Sequence, residues 1–312
     1  LRGKNPIESM RSAARIGGSV GKARGILADF KPDVVFVTGG YACVAVTLAA
    51  RTRSVPVLIY LPDIVPGKAV EFLSRFAARV AVTSEESRQY LPSEKTVVTG
   101  YPVRADLWTS DRARAQKALG LDEGVKTLLV FGGSSGARSI NHALVAALHE
   151  LLPVCQVIHV SGRLDAEWVA AAAEDLPKGS RARYHHYAYL HDMPQALVAA
   201  DLAVARAGAS TLGEFPAAGL PSILVPYPHS GRHQSPNAEY MAVRGASRVI
   251  PDAELAKKLA PVVLELFEDA RELARMRASA TALARPDAAK AIAHQLLVMG
   301  RHGGMGRLGA QS

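Results

Sequence analysis

The residues best suited to chemistry lie in glycine-rich loops, each between an apolar run and a helical pattern. The first loop, Gly-Gly-Ser-Ser-Gly-Ala-Arg at 132–138, follows the buried-strand pattern Leu-Leu-Val-Phe at 128–131. Backbone N–H groups and the positive end of a helix dipole at such a turn favour a bound phosphate. A plain strand–helix turn, in which glycine only permits tight packing, explains a single loop of this kind equally well.

A second loop of the same kind reads Arg-Ala-Gly-Ala-Ser-Thr-Leu-Gly-Glu at 206–214. Ser210 and Thr211 are expected in the first turn of the next helix, where hydroxyl and free N–H groups can hold an anion. Glu214 follows about one turn later, and its carboxylate can accept two hydrogen bonds from a ribose diol or simply complement the helix dipole. Two phosphate-type loops together favour a nucleotide-sugar site.

A third polar segment, Pro-Tyr-Pro-His-Ser-Gly-Arg-His-Gln-Ser-Pro-Asn at 226–237, follows a strand pattern. Gln234 and Asn237 are three residues apart, so a helix starting here places both amides on one side. Amides suit hydroxyl-rich sugars, whereas helix capping explains only part of the run. His229 and His233 have no third ligand nearby, so we predict no metal and no cofactor.

Composition narrows the class of protein. The 312 residues are about half apolar with few aromatics, and strand and helix patterns alternate, which predicts an α/β protein with parallel sheets. No apolar run approaches the roughly 18 residues of a membrane span. Residues 1–53 carry nine Lys or Arg against three acidic residues. This excess could attract an anionic membrane surface or a phosphorylated substrate; nucleic acid is disfavoured because stacking aromatics are missing.

We predict two domains, 1–108 and 109–300, joined within the polar helical stretch 106–123, and a disordered tail at 301–312. Strands are predicted at 33–38, 55–60, 79–83, 96–99, 127–131, 156–160, 182–186, 202–205, 222–225 and 248–250. A ligand should lie at the carboxyl ends of these parallel strands.

Four segments together resemble the MurG family. They are the loop 132–138 with Asn141, Gly-Tyr-Pro-Val-Arg at 100–104, Ala-Gly-Ala-Ser-Thr-Leu-Gly-Glu at 207–214 and Arg-His-Gln-Ser-Pro-Asn at 232–237. This family transfers N-acetylglucosamine from UDP-N-acetylglucosamine to the undecaprenyl-linked muramoyl-pentapeptide of peptidoglycan synthesis. The resemblance covers nearly the whole chain. It implies a GT-B fold, in which two Rossmann-like doubly wound parallel-sheet domains face a cleft and the second domain holds most of the nucleotide sugar.

The resemblance also implies roles for individual residues. Glu214 would bind the ribose, the backbone of Leu190 would read uracil with Met193 beside it, and Arg104 and Asn141 would line the cleft. Contacts to the diphosphate are implied for Ser134, Ala209, Ser210 and Thr211, with Leu212 and Gly213 completing the substrate-binding set. Gln234 and Asn237 would hold the N-acetylglucosamine hydroxyls.

On the acceptor side, Gly39, Gly40 and Tyr41 match the family's acceptor-side glycine loop. The chain departs from the family pattern at two other places. Where the family has His-Glu-Gln-Asn, this chain has Tyr-Leu-Pro-Asp at 60–63, in which Asp63 can replace the Asn. The family's first glycine loop, which ends in a His, should precede residue 1, so we expect an incomplete N-terminal domain. The catalytic base is unknown, with Asp63 a candidate.

The function implied is an inverting hexosyltransferase that needs no metal and works peripherally on the cytoplasmic face of the membrane, where the basic helix near residues 2–24 would rest. Two alternatives remain open. One is a related glycosyltransferase that acts on diacylglycerol, because donor loops are shared and the acceptor run is altered. The other is a non-catalytic nucleotide-sugar-binding protein, since the His loop is missing.

Overall fold

The computed structural model describes the backbone of residues 6–133, 136–229 and 233–308, and the side chains of 17–40, 42–133, 136–229 and 233–301. The strands are β1 (Val35–Val37), β2 (Val57–Leu61), β3 (Arg79–Val82), β4 (Thr96–Val98), β5 (Lys126–Phe131), β6 (Cys155–Val160), β7 (Tyr184–Tyr187), β8 (Leu202–Ala205), β9 (Ser222–Leu224) and β10 (Ser247–Val249). The helices are α1 (Pro6–Phe30), α2 (Tyr41–Thr52), α3 (Lys68–Ser74), α4 (Ala105–Thr109), α5 (Arg112–Ala118), α6 (Arg138–Leu151), α7 (Ala166–Glu174), α8 (Lys178–Arg181), α9 (Met193–Ala199), α10 (Thr211–Ala218), α11 (Gln234–Val243), α12 (Leu255–Glu268), α13 (Ala270–Ala282) and α14 (Ala288–Leu308).

The chain forms two compact units, and the first consists of Leu1–Gly100 with Asp287–Ser312. Its sheet has the strand order β1-β2-β3-β4, and neighbouring strands are parallel. The five apolar residues of β2 are all buried. A strand that is apolar without alternation is covered on both faces, as expected of a parallel sheet.

The second unit, Tyr101–Pro286, holds a six-stranded parallel sheet with the order β10-β9-β8-β5-β6-β7. In β5, Leu128 and Val130 join a core cluster with α6 and α12, while Leu129 between them points to the other face and is also fully buried. Both faces of this sheet are therefore covered. Because β5 pairs with β6 on one side and β8 on the other, the loops after β5 and β8 leave adjacent carboxyl ends.

The division into units differs from the expected one in two respects. The polar stretch after residue 100 belongs to the second unit, because α5 packs on α9 and α4 packs on α9 and α10. The last helix belongs to the first unit: a Cβ placed on Gly300 would contact the Asp33 Cβ at 3.7 Å. The helix α14 also continues to Leu308, so 301–308 is helical instead of disordered.

Strand positions follow the sequence pattern closely, with shifts of one or two residues at the ends. The strand expected from residue 182 begins at Tyr184, because the short helix α8 ends at Arg181. The helix expected from Asp252 begins as a 3-10 turn, Asp252–Glu254, before α12. Among the described helices, none combines the length and apolarity that a membrane crossing requires.

Candidate functional site

Both glycine loops of the second unit open into one cavity of about 660 Å³, here named the larger cavity. Its lining residues include Gly132, Gly133, Gly136, Arg138, Ser139, Arg206, Gly208, Ser210, Thr211, Tyr227, Gln234 and Asp252. The loop after β5 and the loop after β8 thus meet where the sheet topology places their strand ends. Ser134 of the first loop lies outside the described residues.

The first loop requires glycine at two positions. A Cβ on Gly132 would lie 2.2 Å from the backbone nitrogen of Ala137, so the loop folds back on itself. Gly136 has φ +76°, and a Cβ there would lie 2.4 Å from the carbonyl oxygen of Ser161. Only glycine tolerates both the positive φ and this approach, so the loop is fixed against the segment after β6.

The start of α10 differs in detail from the sequence prediction. The N–H groups of Thr211 and Leu212 already donate to the carbonyls of Gly208 and Ala209 at 3.1 Å, and the Thr211 hydroxyl donates to Gly208 at 2.7 Å. The N–H groups of Gly208, Ala209 and Ser210 donate no hydrogen bond to another described residue. The donors available to an anion therefore precede the helix instead of lying in its first turn.

Arg206 joins three segments around the larger cavity, a role that the sequence analysis did not assign. Its guanidinium donates to the carbonyl of Val225 (3.2 Å), to the Ser139 hydroxyl (2.7 Å) and to the Asp252 carboxylate, and its side chain is only 11% exposed. The Ser139 hydroxyl in turn donates to Asp252 at 2.7 Å. The sequence could have predicted this role, because an arginine directly after a buried strand is a cation that needs partners inside the protein.

A smaller cavity of about 240 Å³ brings together four predicted residues: Arg104, Leu190, Met193 and Glu214. Leu107, Tyr189, His191, Pro194 and Leu197, which the sequence analysis did not single out, complete its lining. Burial raises the pKa of Glu214, while a hydrogen bond from Ser210 and the charge of Arg104 act in the opposite direction. Ser210 lines the larger cavity and accepts the Glu214 N–H at its carbonyl oxygen (2.8 Å), so one turn of backbone borders both cavities.

Four predicted substrate contacts are instead buried in the unit. The Asn141 amide donates to the Ser161 carbonyl (2.8 Å) and to Asp165 (2.9 Å), and its oxygen faces His159. Asn237 is also fully buried and donates to the Ala207 carbonyl at 3.1 Å. The other two predicted contacts found inside are Leu212, which is 4% exposed, and Gly213, which lies beneath the Tyr101 ring. These residues support the loops and line neither cavity.

Gln234 retains its predicted place, since it lines the larger cavity from the first turn of α11. Its side-chain oxygen accepts the Tyr227 N–H at 2.8 Å, which fixes the amide. Ala209 is partly exposed in the loop just before Ser210. No group of three metal-binding side chains occurs in the described part of the chain.

In the first unit, the acceptor-side loop has the geometry that its glycines suggest: Gly39 and Gly40 have φ of +104° and +86°, and α2 begins at Tyr41. Half of the altered run at 60–63 lies inside the sheet, since Tyr60 and Leu61 are the last two residues of β2 and are buried. Tyr60 is 5% exposed, and its hydroxyl lies 3.1 Å from that of Thr83 and donates to the Gly100 carbonyl. Asp63 follows the end of β2 and is half-buried.

Comparisons with known proteins agree with this arrangement. The family models for the N-terminal and C-terminal domains of glycosyltransferase family 28 match residues 1–82 and 127–292. A relative from Roseiflexus sp. (strain RS-1), named UDP-N-acetylglucosamine--N-acetylmuramyl-(pentapeptide) pyrophosphoryl-undecaprenol N-acetylglucosamine transferase, is 42% identical over 95% of this chain and 76% of its own length. A relative of the same name from Bacillus licheniformis is 35% identical over 96% of this chain and 82% of its own length.

Solved structures give the same family and fold. The crystal structure of MurG from Acinetobacter baumannii aligns with a TM-score of 0.75 at 27% identity, covering 91% of this chain and 80% of that one. The structure of S. aureus MnaA with UDP aligns with a TM-score of 0.68 at 16% identity, covering 89% of this chain and 79% of that one, a likeness of fold alone.

Proposed function

This chain belongs to the MurG family of glycosyltransferase family 28, and we propose that its second unit binds UDP-N-acetylglucosamine in the two cavities. It is a hexosyltransferase with the GT-B fold of that family, and it moves N-acetylglucosamine from the UDP-linked donor to the lipid-linked muramoyl-pentapeptide in peptidoglycan synthesis. The relatives are all named as transferases that act on the lipid-linked muramoyl-pentapeptide. This argues against a diacylglycerol acceptor and against a protein without catalytic activity.

The observation that carries the donor assignment is that Ser210 and Glu214 lie on one turn: the Glu214 N–H donates to the Ser210 carbonyl at 2.8 Å, while Ser210 lines the larger cavity and Glu214 lines the smaller one. In our proposal Glu214 binds the ribose diol in the smaller cavity, with uracil against Leu190 and Met193 and with Arg104 nearby. The diphosphate then lies in the larger cavity, where the loop before α10 supplies N–H groups that donate to no other described residue. Gln234 reaches the sugar, and Ser134 contributes to the diphosphate site.

Transfer is a displacement at the anomeric carbon. The acceptor hydroxyl oxygen forms the new bond to this carbon, the bond to the β-phosphate oxygen breaks, and its electron pair stays on the departing UDP. The hydroxyl proton leaves to a base, for which Asp63 is our candidate. N–H donors fixed in advance around the larger cavity stabilise the charge that grows on the diphosphate.

The first unit, in our proposal, receives the acceptor and rests on an anionic membrane at its cytoplasmic face, with Gly39, Gly40 and Tyr41 on the acceptor side. The supporting feature is the exposed end of α1, where Ile26 and Phe30 are 67% and 78% exposed beside the exposed basic residues Lys22 and Arg24. Apolar and basic side chains together bind anionic lipid surfaces.

Calorimetry with UDP-N-acetylglucosamine tests the donor site. Glu214→Ala should weaken binding by about tenfold or more, because a hydrogen bond to a charged group contributes about 1.5–3 kcal/mol. The exposed residue Glu239, varied as Glu239→Ala, is the matched control. Equal affinity in the parent and Glu214→Ala, or no binding by the parent, would contradict the assignment. Assays with the lipid-linked muramoyl-pentapeptide and with diacylglycerol separate the two acceptors.

A further inference from the structure

A directional network of hydrogen bonds lies buried behind the first glycine loop. The Asp165 carboxylate can only accept, so the atom of Asn141 that faces it at 2.9 Å is the amide nitrogen. The Asn141 oxygen therefore accepts from Nε2–H of His159 (3.0 Å), and Nδ1 of His159 accepts from the Tyr184 hydroxyl (2.6 Å). Burial lowers the pKa of His159 to about 3, which agrees with this neutral tautomer.

At its outer end, this network terminates on an ion pair. The Oδ1 atom of Asp165 accepts from Nε of Arg138 at 2.9 Å and from a terminal nitrogen of the same guanidinium at 2.8 Å. Burial alone would raise the pKa of Asp165, but hydrogen bonds from Trp168, Arg138 and Asn141 and the charge of Arg138 hold it below the usual value. The carboxylate is thus ionised, it is held by the buried Asn141, and its side chain is only 5% exposed.

Arg138 itself faces outwards. It is the last residue of the first glycine loop, it lines the larger cavity, and its side chain is 68% exposed. A guanidinium carries five N–H donors in a rigid fork, and Asp165 occupies one edge of it. Arg206, the second arginine among the described residues that line this cavity, is 11% exposed and directs its donors to Val225, Ser139 and Asp252. Of the two, Arg138 is the one with accessible donors.

We propose that Arg138 is a catalytic residue that contacts the donor diphosphate, and that Asp165 is a positioning residue that holds its guanidinium at the larger cavity. The proposal rests on the proposed donor site. As the bond between the anomeric carbon and the β-phosphate oxygen breaks, the electron pair passes to the phosphate, and the accessible edge of Arg138 donates to the oxygens that gain this charge. Asn141, His159 and Tyr184 keep Asp165 oriented and so preserve the geometry of the fork.

The test compares ligands with and without phosphates. Calorimetry with UDP and ligand-observed NMR with uridine are applied to the parent, Arg138→Ala, Arg138→Lys, Asp165→Asn and the exposed control Arg181→Ala. Arg138→Ala should lower the affinity for UDP at least tenfold and change the affinity for uridine less than twofold. It should also lower kcat at least tenfold. Arg138→Lys should restore only part of the UDP affinity and of kcat, since lysine lacks the forked guanidinium. Asp165→Asn should reproduce the UDP-selective loss, and the double variant should be no weaker than Arg138→Ala.

Two results would overturn the proposal. If Arg138→Ala lowered the affinities for UDP and uridine equally, the residue would only support the fold. If UDP affinity and kcat were both unchanged, Arg138 would have no role in binding or transfer. A parent that binds neither UDP nor uridine would overturn the donor site itself. That failure is distinguishable, because it is seen before any variant is made.

Discussion

Tyr101 packs directly on Gly213: a Cβ placed on Gly213 would lie 2.4 Å from Cδ1 of the Tyr101 ring. The contact joins two segments that are far apart in the sequence, and it holds the first turn of α10 where Glu214 and Ser210 face the two cavities. Gly213 is needed for this approach, and it lines neither cavity.

Gly213→Ala should therefore displace Tyr101 or α10. Overpacking of this kind costs about 1–3 kcal/mol, and affinity for UDP-N-acetylglucosamine should fall with it. Urea unfolding and calorimetry provide the measurements. Gly179→Ala is the matched control, because no atom lies within 4 Å of a Cβ at that position. Adding Tyr101→Ala to Gly213→Ala should recover part of the lost affinity; a fully tolerated Gly213→Ala would show that the ring has room to move.

Donor affinity should depend on pH through Glu214, whose pKa burial raises against the opposing effects of Ser210 and Arg104. In the proposed donor site the ionised carboxylate accepts from the ribose hydroxyls, and a raised pKa means that it becomes protonated at a higher pH than an ordinary glutamate. Affinity should therefore fall as the pH is lowered, starting above the usual glutamate range. Calorimetry between about pH 4.5 and pH 8 measures this change in donor affinity. Glu214→Gln should give a nearly flat profile, and a parallel decline in both proteins would contradict this cause.

Stability of the second unit should decrease in mild acid because of His159. Its pKa is about 3 when folded and 6.5 in the reference state, so below about pH 6.5 the unfolded chain binds a proton that the folded chain does not. Stability is then full above pH 6.5 and falls by up to about 1.4 kcal/mol per pH unit down to pH 3. Urea unfolding at pH 7 and pH 5 measures the slope. His159→Gln should reduce the slope, with the remainder due to His185 and His186, whose pKa values burial also lowers. His149→Gln, at an exposed site, should leave the slope unchanged.

Breaking the Arg206–Asp252 pair should loosen the larger cavity. Arg206→Ala leaves a carboxylate that is only 22% exposed without its cation, and we expect a loss of about 1–3 kcal/mol, below the range for fully buried pairs. Urea unfolding of Arg206→Ala, Asp252→Ala and the double variant forms a mutant cycle. The double variant should lose less than the sum of the singles. Strict additivity would mean that the pair adds no coupling.

The strands and the glycine loops could be predicted from the sequence because their causes are local. An unbroken apolar run such as 128–131 marks a buried strand, and glycine marks the turn that follows it. The division into units could not be predicted from the sequence in the same way, because composition does not show that Gly300 packs near Asp33. The side on which α14 packs depends on residues more than 200 positions away.

The sequence by itself determined the fold class and the family, and it indicated the segments that line the proposed donor site. Only the tertiary structure decided which polar groups in those segments face a ligand. Asn141 and Gln234 both lie in the first turn of a helix, yet Asn141 turns inward to His159 and Asp165 while Gln234 lines the larger cavity. The physical reason is that a polar side chain is buried only where distant partners satisfy it, and those partners are absent from the local pattern.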